Sequence, residues 1–381
     1  MNIGITCYPS LGGSGVVATE LGKLLAERGH NVHFITSSMP FRLGKFHPNI
    51  FYHEVEVNHY DVFKYPPYDL TLANRMAQVA RNENLDLLHV HYAVPHALCA
   101  YLAKQMVGDR LKIVTTLHGT DITVLGYDSS LSDMIRFGIE QSDLVTAVSN
   151  DLIRQTKDLL HVNKEIIPVY NFVDKRRYFR KDVQELKKVF APNGEKILMH
   201  ISNFRPVKRV PDVVEVFRLV RRQIPAKLML IGEGPDLCEI RKMILAYGLD
   251  QEVYFLGKQE DVAEVISMAD VMLLPSEKES FGLVALEAMA CGVPVVTTVA
   301  GGLPEVVLDG VCGYLCQIGD VETMAKRTLS LLQDKALYDQ FSKNSIERSS
   351  NTFCHDKIAS QYENLYKKLL GREAERTSQP V

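Results

Sequence analysis

The chain has no run of apolar residues as long as a membrane span. Its first residues, "MNIGITCYPS", carry neither the basic flank nor the apolar stretch of a secretory leader. Both absences point to a cytoplasmic protein that does not engage a membrane. Neither sign of charge is in excess: 43 Lys and Arg stand against 46 Asp and Glu, a formal net charge of −3. That balance argues against a general nucleic-acid surface and still leaves room for a local basic pocket. The seven cysteines are odd in number and scattered. Only Cys312 and Cys316 lie close in sequence, and no second pair completes a zinc site, so reduced thiols and no metal are expected. Low-complexity tracts and short repeats are also missing.

What is present is a globular chain long enough for two domains: 381 residues, 46% hydrophobic and 23% charged. In the first half, "NIGITCY", "NVHFITS", "LDLLHVHY", "KIVTTLHG" and "LVTAVS" read as strands. Between them "VVATELGKLLAERGH", "LTLANRMAQVARNEN", "PHALCAYLAKQMV" and "DMIRFGIEQS" read as helices, the first with Val17, Leu21, Leu24 and Leu25 on one face. The alternation restarts at "KILMHISNF" and continues through "AKLMLIGEG", "VYFLGK", "VMLLPS" and "VPVVTT" with helices between. Strands separated by helices of this length form parallel sheets covered on both faces. The expected fold is α/β: two Rossmann-like, doubly wound domains facing a cleft. The boundary falls near residues 168–195, which gives domains 1–167 and 168–354. A C-terminal helix over about 355–381, frayed at its end, is expected to pack back on the first domain. In such sheets, ligands bind beyond the carboxyl ends of the strands.

Three places carry chemistry. "GGSGVVA" (Gly12–Ala18) follows a strand and opens a helix, and Gly13, Gly15 and Ala18 match G-x-G-x-x-G/A. Against a dinucleotide, Pro9, Ser10 and Leu11 lengthen the turn, and the next strand ends "FITSSMP" with no acid for a ribose diol. An anion at the helix N-terminus and a purely structural turn remain open. His89, His91 and His96 in "LLHVHYAVPHA" form the densest histidine cluster, read as a strand end and loop rather than a metal site. In "PSEKESFGLVALEAMACGVPVV", Glu279 sits at a strand's carboxyl end and Glu287 lies inside the helix that follows. Amides around Phe281, Gly282 and Leu283 face a ligand there with the helix dipole behind them. Two carboxylates at this spacing suit a nucleotide-sugar, which has hydroxyls at both ends and a diphosphate between them. The plainer reading makes Glu287 a helix-surface residue. Its apolar neighbours Leu286, Ala288 and Met289 argue for a paired carboxylate instead.

Taken together, "GGSG", "TLHGTD", "YNFVD", "NFRPVKR", "LIGEGP", the pair Glu279 and Glu287, and "GDVETMA" resemble the retaining GT-B glycosyltransferases of family 4. The resemblance covers nearly the whole chain. It implies that Glu279 binds the donor sugar's hydroxyls, that Glu287 binds the ribose, and that the amides of Phe281, Gly282 and Leu283 take sugar or phosphate oxygens. The family's basic pair is an arginine followed five residues on by a lysine. Lys208 fits the lysine, Asn203 stands at the arginine's place, and Arg205 is the neighbour that could replace it. His118 matches the histidine beside the reacting centre. Gly232 and Gly234 correspond to a close turn beside the nucleotide, and Gly257–Asp261 to the region of the base. Gly13 and Ser14 join the donor-binding set. The implied catalytic group is His118, Glu279, Arg205 and Lys208.

"IGITCYPSLGGSG", "HFITSSMPFRL", "VFKYPPYDLTLA" and "TLHGTDITVLGYD" are similar to one branch of that family. That branch transfers N-acetylglucosamine from UDP-GlcNAc to the hydroxyl of L-malate, the first step of bacillithiol biosynthesis. A dicarboxylate acceptor needs cations and hydroxyls, and Lys64, Arg136, Tyr92 and Thr120 are the candidates, with Ser14 assisting. No D-x-D pair follows a strand, so no metal and no cofactor is expected, and fixed cations meet the diphosphate. No carboxylate is left for a covalent intermediate, which favours front-face attack with the leaving phosphate taking the acceptor's proton. A different UDP-sugar or acceptor, a nucleotide-sugar-binding protein without turnover, and an NAD-dependent dehydrogenase are the competing readings. Homo-oligomerisation is left open.

Overall fold

The computed structural model describes residues 1–9, 12–44, 46–57 and 61–372. Ser10, Leu11 and the expected helical and frayed end over 373–381 lie outside the described residues. The chain forms two compact units, Met1–Asn171 with His355–Val381, and Phe172–Cys354.

The first unit is built on seven strands: β1 (Asn2–Thr6), β2 (Asn31–Thr36), β3 (Ile50–Glu54), β4 (Leu87–His91), β5 (Lys112–Leu117), β6 (Leu144–Ala147) and β7 (Ile166–Pro168). All pair in parallel, in the order β3-β2-β1-β4-β5-β6-β7. The central strands are buried along their length because helices cover both faces: all five residues of β4 are buried, His89 and His91 among them. The second unit has six parallel strands: β8 (Lys196–Ile201), β9 (Ala226–Ile231), β10 (Val253–Gly257), β11 (Val271–Leu274), β12 (Val295–Thr298) and β13 (Gly313–Cys316). Their order is β10-β9-β8-β11-β12-β13. Its helix Val210–Arg221 opens on Val-Pro and buries Val213, Val214, Phe217 and Val220, one stripe at helical spacing, against Leu198, Leu228 and Leu230.

Several elements were not expected from the sequence. β3 is a half-exposed edge strand with a polar end, and β7 and β13 have only three and four residues. The helix Asn150–Leu160 is largely polar, but Ser149 caps it by accepting a hydrogen bond from the Leu152 N–H at 3.1 Å. The first unit runs on to Asn171 because Val169 N–H donates to the Ala147 carbonyl at 2.9 Å and Asn150 Nδ2 donates to the Tyr170 hydroxyl at 3.1 Å.

The helix His355–Leu369 packs on the helix Gly13–Glu27 of the first unit. Arg28 holds it by donating to Ser360 Oγ (2.8 Å), Glu363 Oε2 (2.7 Å) and the Asp356 carbonyl (2.8 Å). His30 Nε2 meets Glu363 Oε1 at 2.7 Å. Burial alone would raise the Glu363 carboxyl, but the hydrogen bonds from His30 and Arg28 hold it below its usual range. Deeper down, Tyr366 Oη bonds His89 Nδ1 at 2.6 Å, and Tyr362 Oη reaches Thr116 Oγ1 at 3.3 Å. No helix among the described residues is long and apolar enough to cross a membrane.

Arg28→Ala removes the charged bonds at one end of this docking and leaves the buried tyrosines in place. Hydrogen bonds to charged groups contribute about 1.5–3 kcal/mol each when well buried, and these are partly exposed, so a loosened helix rather than an unfolded chain is expected. Hydrogen exchange of His355–Leu369 should speed up roughly tenfold while that of β8–β12 is unchanged. Equal protection in both proteins would show that the tyrosines alone anchor the helix.

Candidate functional site

In each sheet the strand order reverses once, between β1 and β4 and between β8 and β11. Successive crossovers leave on opposite faces at these points, so the loops after the flanking strands part and leave a crevice.

In the second unit the two parted loops are 202–209 and 275–282. Glu277 N–H donates to the Val207 carbonyl at 2.8 Å and ties them together. Lys208 Nζ then meets Glu279 Oε2 at 2.5 Å, and Ser276 Oγ approaches the same oxygen at 3.4 Å. The ion pair joins residues 71 positions apart and leaves both side chains partly exposed. Asn203 and Arg205 are exposed on either side of Phe204, which is fully buried and plugs the loop into the core. Arg205 has no ion-pair partner among the described residues, whereas Arg209 is taken by Asp212 at 2.7 Å.

The glycines explain how this loop lies so low. Gly232 has φ of +118°, and a Cβ there would sit 1.8 Å from the Ser202 carbonyl oxygen. One on Gly234 would sit 2.0 Å from that of Asn203. These positions therefore admit the chain's own β8 loop, a role that the sequence pattern did not reveal. Gly302 does the same for the other loop: its N–H donates to the Glu279 carbonyl at 2.9 Å, and a Cβ would meet Ser280 O at 2.5 Å.

The helix after Glu279 is short, Leu283–Ala290, with Gly282 as its left-handed cap (φ +98°) and Phe281 buried before it. Glu287 therefore sits just past the first turn of this helix. It is 7% exposed, which rules out the helix-surface reading, and it receives the Tyr178 hydroxyl at Oε1, 2.5 Å. Sequence reasoning missed Tyr178; the signal was an aromatic residue inside the charged run "KRRYFRKD". Near Gly257–Asp261, Arg177 donates to the Glu260 carbonyl at 3.2 Å and lies 3.8 Å from Asp261.

In the first unit, β1 leads to Tyr8 and the helix that Gly13 and Ser14 open, and β4 leads to Tyr92. Tyr92 has φ of +98°, a conformation that costs a non-glycine residue on the order of 1–3 kcal/mol and concentrates at functional sites. Its N–H donates to the Thr116 carbonyl at 3.0 Å, and Ser14 Oγ donates to its hydroxyl at 3.4 Å. Its ring stacks on His118 (centroids 5.7 Å apart) and meets Tyr8 edge-on at 5.2 Å. The loop holding His118 is clamped by Asp121, a buried carboxylate overlooked inside "TLHGTD". Asp121 accepts the N–H groups of Gly119 (2.8 Å), Ala93 (3.2 Å) and His118 (3.3 Å). Burial pushes its pKa up to about 6 against those three donors.

The proposed acceptor cations stand apart from this cluster in their contacts. Lys64 is exposed, with Nζ 5.6 Å from the centroid of its neighbour Tyr65. Arg136 is exposed on the helix Ser132–Gln141 and pairs with Asp133 at 3.5 Å. That helix lies close to the loop after β4, since a Cβ on Gly138 would come within 3.1 Å of the Ala93 carbonyl. Thr120 is exposed at the first position of the short helix Thr120–Thr123.

Residues 11–177 match the model described as "Glycosyltransferase Family 4", and residues 182–348 match "Glycosyl transferases group 1". The chain is 59% identical, over 97% of its own length and 97% of the other's, to N-acetyl-alpha-D-glucosaminyl L-malate synthase of Bacillus anthracis. Its fold is similar to sucrose-phosphate synthase from Thermosynechococcus elongatus (TM-score 0.83, 20% identity, 98% and 100% of the two chains). It is also similar to Anabaena Alr3699/HepE in complex with UDP-glucose (TM-score 0.80, 20% identity, 97% and 100%).

The histidines around these loops are neutral. Burial first, then the neighbouring rings, pushes His89 and His118 down to about 3 and His91 well below its ordinary value. His96 and His200 are pushed down to about 4, chiefly by burial. A base whose folded-state pKa is lowered protonates first in the unfolded chain, so its contribution to stability is lost as pH falls from the unfolded value. Asp121, pushed up, works in the opposite direction, one group against five. The thermal midpoint should therefore fall steadily from about pH 6.5 towards pH 4. A midpoint that stays level across this window in a calorimetric scan would mean that these rings already carry protons in the folded state.

Proposed function

We propose that this chain, which belongs to the family 4 glycosyltransferases, transfers N-acetylglucosamine from UDP-GlcNAc to the hydroxyl of L-malate with retention of the α configuration. The observation that carries the reading is the 59% identity over 97% of both chains to the Bacillus anthracis enzyme of that name. Two parted-loop sites with the expected residue types support it.

On the donor side, Glu279 takes sugar hydroxyls. Lys208, held at 2.5 Å by that same carboxylate, turns its remaining N–H donors to the diphosphate. Arg205, exposed on the same loop, adds a second cation, and Asn203 a polar contact. The first N–H groups of the helix Leu283–Ala290 lack intrahelical carbonyls and, with the amides of Phe281 and Gly282, favour negative oxygens. Glu287, oriented by Tyr178, receives the ribose diol. Gly232 keeps the β8 loop low enough for these groups to converge.

On the acceptor side, Lys64 and Arg136 meet the two carboxylates and Tyr92 and Thr120 donate hydroxyls. Charge developing on the departing phosphate is stabilised by fixed donors, and that phosphate takes the malate proton. Asp121, the buried carboxylate next to His118, is occupied by three backbone donors and offers no nucleophile.

UDP release measured for a panel of UDP-sugars against hydroxy acids, with a chelator present, tests the assignment. The highest rate is expected for UDP-GlcNAc with L-malate. Release that does not depend on the hydroxy acid would overturn it. Glu279→Gln should lower turnover at least about a hundredfold, losing a charged hydrogen bond to the reacting sugar, and change UDP affinity by calorimetry less than about tenfold. Full turnover in this variant would remove the sugar-anchor role. Lys64→Ala and Arg136→Ala should each raise KM for malate about tenfold or more, with KM for the donor little changed. A shift confined to the donor would move the acceptor site elsewhere.

A further inference from the structure

Against His118 stack two histidines, His91 and beyond it His89, to which the proposed reaction gives no role. His89 and His91, alternate residues at the end of β4, stack with centroids 4.4 Å apart, and His91 stacks in turn on His118 at 5.0 Å. His91 Nδ1 meets His118 Nε2 at 2.8 Å. His91 is fully buried, and its other nitrogen, Nε2, has no hydrogen-bond partner among the described residues.

Two neutral imidazoles joined in this way share one proton, and the surroundings decide which ring supplies it. If His118 donated from Nε2, the His91 proton would sit on Nε2, a buried N–H with nothing to accept it. If His91 donates from Nδ1, its Nε2 is a bare lone pair. Buried proteins tolerate an unpaired acceptor far better than an unpaired N–H. His96 next to it shows the same solution without ambiguity. Its Nδ1 faces the His91 carbonyl at 2.5 Å, so it must carry the proton, and its buried Nε2 is left as the unpaired acceptor. The other side of the layer is also committed: His89 bonds Tyr366 at Nδ1 (2.6 Å) and Thr116 at Nε2 (2.7 Å) and has no hydrogen bond left for His91.

We infer that His91 is a positioning residue: its Nδ1–H donates to Nε2 of His118 and fixes His118 as the tautomer that presents an N–H, not a lone pair, at Nδ1. His118 then acts on substrate as a hydrogen-bond donor to oxygen and cannot serve as a general base, because one nitrogen is occupied and the other is protonated. This suits a transfer in which the leaving phosphate takes the acceptor's proton. The tautomer rests on geometry alone. The substrate oxygen it serves rests on the proposed transfer.

Long-range 1H–15N correlation on the full chain labelled with 15N-histidine reads the tautomer directly, with the His118 signals assigned by their loss in His118→Gln. At pH 7 a protonated Nδ1 and a bare Nε2 are expected for His118. A proton on Nε2, or an imidazolium, overturns the inference, and this measurement needs no variant of His91. In His91→Leu, His118 should become a mixture of tautomers, and kcat should fall roughly ten- to a hundredfold with both KM values within about threefold, the loss of one oriented donor. His91→Asn, whose amide N–H lies near the position of Nδ1, should restore the single tautomer and about tenfold of the lost kcat. Loss of kcat in His91→Leu with the His118 tautomer unchanged would make His91 merely structural and overturn the inference. A chain that shows the Nδ1–H tautomer and transfers nothing to malate would uphold it and count against the proposed acceptor.

Discussion

Each sheet has one point where its strand order turns back, and the site residues depend on that constraint. Parallel strands need crossover connections, and right-handed crossovers to opposite sides of a central pair force the loops after β1 and β4, and after β8 and β11, to diverge. Backbone that would otherwise close over the sheet edge is held apart there, and polar side chains can gather without being buried unpaired. In the second unit the gap is where Lys208 and Glu279 meet. In the first it is where Ser14, Tyr92 and His118 meet.

Holding the loops in place falls largely to residues with no chemistry of their own. Gly232, Gly234 and Gly302 let one backbone segment lie against another where any side chain would collide. Phe204 anchors the loop that carries the cations. Asp121 is spent on three backbone amides, so a buried carboxylate beside His118 acts as a clamp rather than a reagent. With five neutral imidazoles around the loops, the proposed transfer rests on fixed cations and oriented N–H groups, which need no proton uptake to act.

The C-terminal helix shows how far apart in sequence a site's support can be. Tyr362 and Tyr366 reach under β4 and β5 to Thr116 and His89, so the polar layer below His118 is completed by the last described helix. Arg28 and His30, at the end of the first helix and start of β2, hold that helix through Glu363.

Periodicity alone made the α/β class and most central strands legible, because strands buried on both faces are nearly continuous apolar runs. It did not reveal β3, β7 or β13, which are too short or too exposed to carry that signal. Spacing singled out Glu279 and Glu287 because both lie in one local segment around a strand end and a helix. Motif resemblance added Lys208, but only the fold brings it within 2.5 Å of Glu279. Tyr178 on Glu287, the Asp121 clamp, the reason for Gly232 and Gly234, and the pairing of His91 with His118 were settled by tertiary structure alone. They are contacts between segments far apart in the chain or across a turn, where burial and the lack of an alternative partner, not residue type, decide what each group does.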